Sequence, residues 1–307
     1  MIELVDTTAS AIAAEFVRLR RQAGSPAMGM VMTLVFVVHE DGAPAAMEAA
    51  RLASREHPAR VLGVIVGDGR GTARVDAVVG IGSGWAGESA MIRLHGEVTK
   101  HPASVVLPLL LPDSPVVVWW PEHAPDDPAE DPLGRLARRR ITDAAAVPRN
   151  KAKAMLTQCH HYSPGNSDLA WTRITHWRAL LAAALDQHPA KVLKATVAAE
   201  RISPSADLLS AWLADRLRVD VDRKTSDGPG ITTVELETKS GPISLVRLDG
   251  KLATFMVPGE PDRPVALKRR DIAELLAEEL RHLDPDDVYA QTVKRMSRRH
   301  AKSAPSA

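Results

Sequence analysis

Apolar positions recur along the chain with two different periods. Near the start Ile12, Phe16, Leu19 and Ala23 share one helical stripe, Arg18, Arg20 and Arg21 fall largely off it, and Gly24 and Pro26 end the segment. Residues 28–38 (MGMVMTLVFVV) form a short unbroken apolar run, rich in Val and bounded by Gly42 and Pro44, as a strand buried on both faces requires. Residues 43–56 read as a helix ending before Pro58, and 60–67 (RVLGVIVG) as a second buried strand. Strand, helix, strand predicts a parallel pair joined by a right-handed crossover. Residues 75–81 and 89–94 alternate more strictly, like half-exposed strands, and 116–120 (VVVWW) is another buried run.

Between 121 and 132 stand four prolines and five acids, which no regular element tolerates. This reads as a surface loop at the carboxyl end of the preceding strand, where open α/β sheets place their sites. A second polar stretch, 148–167, reads as the domain boundary. A helix is predicted over 168–186, capped by Ser167, with Ala170, Ile174, Trp177, Leu181 and Leu185 on its apolar face. A strand near 191–199, a helix over 205–217, strands around 231–238, 242–248 and 251–257, and helices over 268–282 and 285 to about 300 complete the pattern. No internal repeat is present.

Composition narrows the class. With 39 Lys and Arg against 38 Asp and Glu, the formal charge is +1, which argues against a broadly basic nucleic-acid binder. At 307 residues, 45% hydrophobic and 25% charged, the chain should fold, and two domains are the first expectation. Aromatics are 4% and Trp (6) outnumbers Phe (3) and Tyr (2) together, so the core is aliphatic and each Trp matters. The single cysteine, Cys159, rules out an intrachain disulfide or a CxxC motif and reads as an ordinary exposed thiol. Acids near the start, and a most apolar stretch interrupted by Pro108, Pro112, Asp113 and Pro115, lead us to expect a soluble cytoplasmic protein.

Local chemistry is sparse. Gly82, Gly84 and Gly87 satisfy G-x-G-x-x-G, but a strand-like segment follows where the dinucleotide fingerprint needs a helix, which favours a glycine-rich connection between strands. Cys159, His160 and His161 are ligand types, yet adjacent side chains diverge and no second pair stands at metal spacing. His57 and Arg60 could bind an anion or make local loop contacts. Trp119 and Trp120 should point to opposite faces, one into the core and one towards the sheet's edge. Trp171 and Arg178, seven apart, are nearly eclipsed on one border of their helix's apolar stripe, with Arg173 on the other, as in an interface or in packing between domains. Lys294, Arg295, Arg298, Arg299 and Lys302 make a basic end that is locally offset by acids and reads as a solvated helix end.

The segments SREHPAR (54–60), LLLPDSPVVVWWP (109–121), RRRITDA (138–144) and DLAWTRITHWRALLAAALD (168–186) resemble, in order and spacing, the glucose-6-phosphate dehydrogenase assembly proteins, the OpcA family of actinobacteria and cyanobacteria. The resemblance implies a Rossmann-like layered α/β domain over 1–165 and a smaller mixed α+β domain over 166–307, with a basic tail open to disorder from about 300. It implies a non-catalytic partner of glucose-6-phosphate dehydrogenase that promotes its active oligomer, with no cofactor, no metal, no membrane and no nucleic acid. The signature positions His57, Arg60, Asp113, Trp119, Trp120, Asp168, Trp171, Arg173, Trp177 and Arg178 become partner-binding or scaffold candidates. Changing Trp171 and Arg178 to Ala is expected to weaken activation with the fold intact. With Cys159 alone, outside the signature segments, redox control through a disulfide within the chain is not expected. The alternative is a sugar-phosphate or nucleotide-binding enzyme using the carboxyl end of the first sheet, with His57, Arg60 and Asp113 around an anion.

Overall fold

A computed structural model describes residues 1–23, 29–82 and 87–303, with side chains to 298. Gly24, Pro26, the start of the run at Met28, Gly84, and the side chains of Arg299 and Lys302 lie outside the described residues. Strands β1 (Ile2–Leu4), β2 (Met32–Val38), β3 (Ala59–Val66), β4 (Arg74–Ile81), β5 (Glu88–His95), β6 (Val116–Trp119), β7 (Arg139–Thr142) and β8 (Asn166–Asp168) form one sheet in the order β1-β4-β5-β3-β2-β6-β7-β8. Strands β9 (Val192–Ala199), β10 (Val221–Thr225), β11 (Ile231–Thr238), β12 (Gly241–Val246), β13 (Leu252–Met256) and β14 (Arg263–Ala266) form a second, in the order β10-β9-β11-β12-β13-β14. The helices are α1 (Ala9–Ala23), α2 (Ala43–Ala53), α3 (Pro102–Val106), α4 (Lys151–His160), α5 (Leu169–Thr172), α6 (Thr175–Gln187), α7 (Pro204–Leu217), α8 (Ile272–Arg281) and α9 (Asp287–Ser303).

The valine-rich runs lie side by side. β2 pairs in parallel with β3, Val35 opposite Leu62, and with β6, Phe36 opposite Trp119; β3 pairs in parallel with β5, and β6 with β7. Both faces of these strands are covered. Ile12 and Phe16 of α1 join Val35, Leu62, Val64 and Val118 in one cluster, while α2 lies against β2, β3 and α8. That two-sided cover is why the strands read as continuous apolar runs rather than as alternating ones. The five parallel strands, renumbered in chain order, stand in the sequence 3-2-1-4-5, the doubly wound Rossmann-like arrangement. β4 runs antiparallel to β5, so the glycine-rich segment joins two strands, as its context required.

The second sheet is mixed. β9 and β10 are parallel, joined through α7, and β11 to β14 follow as antiparallel hairpins. Trp171, Trp177, Leu208, Leu209, Val234 and Tyr289 share its core.

The chain divides into two compact units: Met1–Asp143 with Gly165–Ser167 and Asp271–Pro285, and Ala144–Pro164 with Asp168–Arg270 and Asp286–Ala307. Helix α8 therefore belongs with the first sheet, where Leu275, Leu276 and Leu280 are buried, rather than with the carboxyl-terminal residues around it. Two local expectations are corrected. The helix expected over 168–186 is broken into α5 and α6, and its cap is Asp168, not Ser167: Asp168 is extended and its carboxylate accepts the Ala170 N–H at 2.8 Å. The polar stretch 148–167 holds α4, which buries Met155 and Cys159 one turn apart. Helix α9 runs to Ser303, and the tail beyond it lies outside the described residues.

Candidate functional site

In the first unit the signature residues divide by end of the sheet. Arg60 stands at the amino end of β3, buried, its guanidinium 2.5 Å from Glu88 and donating to the Leu109 carbonyl at 2.6 Å, with Phe16 4.9 Å beneath. Its charge is answered within the fold, which removes the anion-binding reading of Arg60. His57 precedes the same strand and is half-buried, and Asp113, exposed, precedes β6. All three sit at amino ends, opposite the carboxyl end where the enzyme alternative needed them. Trp119 and Trp120 are both buried, at 1% and 2% exposure. The expected edge Trp is covered because β6 is buried along its whole length: Trp119 meets Phe36 edge-on at 6.3 Å and Trp120 joins the α1-side cluster.

The carboxyl ends of β2, β3 and β6 form the crevice where a doubly wound sheet binds ligands. The loop over 121–132 borders it, as the prolines predicted. A cavity of about 300 Å³ lies there, lined by His39, Trp120, Glu122, His123 and Asp131, with the His39 and His123 rings 5.5 Å apart. Its polar lining is acidic and imidazole. The turn after β2 reads His39-Glu40-Asp41-Gly42, without the glycine-rich sequence of a dinucleotide turn, and its Glu40 pairs with Arg93 at 2.8 Å.

The second unit uses the Trp-rich segment differently. Asp168 caps α5 and also accepts the Ala144 N–H at 3.0 Å. Trp171 is 2% exposed, donates its indole N–H to Asp286 at 2.8 Å, and packs on Tyr289. Arg178 stacks over its ring, 3.7 Å from the centroid. The eclipsed pair is thus real, but Trp171 is core and only Arg178 reaches the surface, so Trp171→Ala would not leave the fold intact. Cys159 is buried too, and burial, with the charge of Asp168 adding to it, pushes the thiol well above its usual range. The exposed-thiol expectation fails because Cys159 lies on the packed face of α4.

Arg173 and Trp177, from the same segment, line a cavity of about 200 Å³ within this unit. The break between α5 and α6 presents Arg173, Ile174 and His176 to it; Ser203, Pro204 and Ser205 at the start of α7, Arg247 after β12, and Lys268, Arg269 and Arg270 before α8 complete most of the wall. Lys151 adds a further cation, and Glu200 is the one carboxylate among the described lining residues. Arg247 is 5% exposed, donates to the carbonyls of Leu267 (2.8 Å) and Ile231 (3.1 Å), and lies over Trp177 at 5.0 Å. Burial, reinforced by Arg269 and opposed by Asp249, pulls its pKa down to about 10. The residues beyond Arg173 and Trp177 were not singled out from sequence. Ser203-Pro204, a capping residue followed by Pro at the first helical position, and the triplet Lys268-Arg269-Arg270 were the signals available.

Both halves of the chain match a known family: residues 50–160 match the description "Glucose-6-phosphate dehydrogenase subunit N-terminal domain" and 164–293 its "C-terminal domain". The chain belongs to the OpcA family. The OpcA match covers all four signature segments, including the one that lines the basic cavity. No curated protein matches the chain. Among solved structures it is similar to KijD10, a 3-ketoreductase from Actinomadura kijaniata, at 10% identity over 88% of this chain and 96% of that one (TM-score 0.48). It is also similar to an oxidoreductase from Sinorhizobium meliloti, at 10% identity over 89% and 90% (TM-score 0.42). No helix among the described residues is long and apolar enough to cross a membrane.

Proposed function

We propose that this protein is a cytoplasmic, non-catalytic assembly factor and allosteric activator of glucose-6-phosphate dehydrogenase in the oxidative pentose phosphate pathway. The observation that carries the reading is the match of both halves of the chain to a family described as subunits of that enzyme. An activator must bind the active form more tightly than the inactive one, since equal affinity shifts nothing. A tenfold shift asks for only about 1.4 kcal/mol of differential binding. Of the signature positions, His57, Asp113, Arg173 and Arg178 retain some exposure and are the partner-facing candidates. Arg60, Trp119, Trp120, Asp168, Trp171 and Trp177 are buried and hold the scaffold that presents them.

The test measures the steady-state rate of the same organism's dehydrogenase with and without this protein across enzyme dilutions, with sedimentation in parallel. We expect a gain largest at low enzyme concentration, together with a joint heavier species. No gain and no joint species would overturn the reading.

A further inference from the structure

We propose that the basic cavity of the second unit binds a small organic phosphate. Arg173, Arg247, Arg269 and Lys268 line it, and among its described lining residues Glu200 is the one carboxylate.

Arg247 makes the case specific. Its guanidinium is buried, yet it has two neutral carbonyls as partners, no carboxylate within 4 Å among the described residues, and an Nε with no hydrogen-bond partner. A buried charge left without a counter-charge is costly, and the face of Trp177 offsets only part of that cost. The lowered pKa of Arg247 reports the same deficit. Independently, the amino end of α7 opens on the same cavity. Ser203 caps it, and Ser205, 9% exposed, has a buried hydroxyl without a partner. The helix dipole places partial positive charge at that end. Guanidinium, hydroxyl and helix terminus together are the donor set that a tetrahedral oxyanion takes up, with Arg supplying the paired donors a phosphate fits.

The volume is compatible with that class. A cavity of about 200 Å³ has room for a phosphate and a short organic stem. The lining is one folded unit's own, so the site does not rest on the dehydrogenase reading and is tested on the protein alone.

Calorimetric titration and thermal unfolding of the full chain at fixed ionic strength would use glucose 6-phosphate, inorganic phosphate and, as the uncharged control, glucose. We expect saturable one-to-one binding and a raised unfolding midpoint with glucose 6-phosphate, weaker binding of inorganic phosphate, and none of glucose. Arg269→Gln, on an exposed side chain, and Ser205→Ala should each weaken binding, the first by roughly tenfold or more, whereas Arg263→Gln, outside the cavity, should not. Arg247→Met should abolish binding if it folds. Absence of binding by both phosphates at millimolar concentration overturns the proposal, and so does equal affinity in wild type, Arg269→Gln and Ser205→Ala. Binding of inorganic phosphate alone would overturn the organic-phosphate assignment.

Discussion

Trp171 shows how far a residue's neighbours in sequence describe its neighbours in space. Seven-residue spacing placed Arg178 beside it, and the guanidinium does lie over the indole even though the helix between them is broken. The same spacing said nothing about depth, because a residue on the border of an apolar stripe is exposed or buried according to what packs on that border. Here Tyr289 and Asp286, more than a hundred residues later, close over the ring. Trp171→Ala should therefore cost about 3–5 kcal/mol in urea unfolding, while Arg178→Ala, on a half-buried side chain, should cost less, the cation–π contact being worth about 1 kcal/mol. A Trp171 variant within 1 kcal/mol of wild type would contradict the burial argument. The practical consequence is that loss of activation in a Trp171→Ala, Arg178→Ala double variant reports unfolding as readily as a lost interface. Arg173→Ala and Arg178→Ala, measured for both stability and activation, separate the two.

At the scale of elements, legibility followed burial. β2, β3 and β6, covered on both faces, announced themselves as apolar runs, and α1 and α2 by their stripes. β1, β7, β10 and β14 were not anticipated, because their residues are short, charged or edge-placed and owe their conformation to partners: β7 is Arg139-Arg140-Ile141-Thr142, and its buried arginines are held within the fold, Arg139 by Glu279 at 2.6 Å and Arg140 by Asn166 at 2.5 Å among other contacts. α4 was missed because two buried residues in ten make a faint stripe. The basic cavity was missed for a related reason, since its cations come from four separate segments. Edge elements are also where pH should act. Asp76 on β4 accepts the Asp6 N–H just after β1 at 2.9 Å and touches Arg74 on its own strand and His95 at the end of β5. These contacts, the Asp6 N–H foremost, hold its pKa below the ordinary aspartate value. A depressed folded pKa contributes stability that is present above the unfolded value and lost as pH falls through the folded one. Asp76→Asn should accordingly be less stable than wild type near neutrality and lose less on acidification, so the two unfolding midpoints converge in acid. Parallel acid curves for the two proteins would show that Asp76 is not the linked group.

The whole chain is more interleaved than its two family matches suggest. Those matches meet between residues 160 and 164 and read as a simple tandem, yet the polypeptide passes between the compact units five times. The decisive passage is the return of 271–285 to the first unit, where α8 begins with a capping box between Asp271 and Glu274 and packs on α2. Glu279, buried, supplies the carboxylate that Arg139 of β7 needs, and Asp284 gives its carbonyl to the same guanidinium at 2.8 Å. A sequence read from left to right cannot see this, because the apolar stripe of α8 is satisfied equally well by either sheet. A chain ending near 163 would leave the apolar surface of α2 uncovered and the charge of Arg139 buried without its partner, a loss of about 3–5 kcal/mol for the ion pair alone. That is a large fraction of a typical domain's stability. We therefore expect a 1–163 fragment to lose amide-exchange protection first in α2 and β7 and to unfold well below the full chain. Adding residues 268–287 as a separate peptide should restore protection to those two elements before any other. A 1–163 fragment whose α2 and β7 are protected as in the full protein would show that the amino-terminal half folds without its distant helix, and that the interleaving is incidental rather than structural.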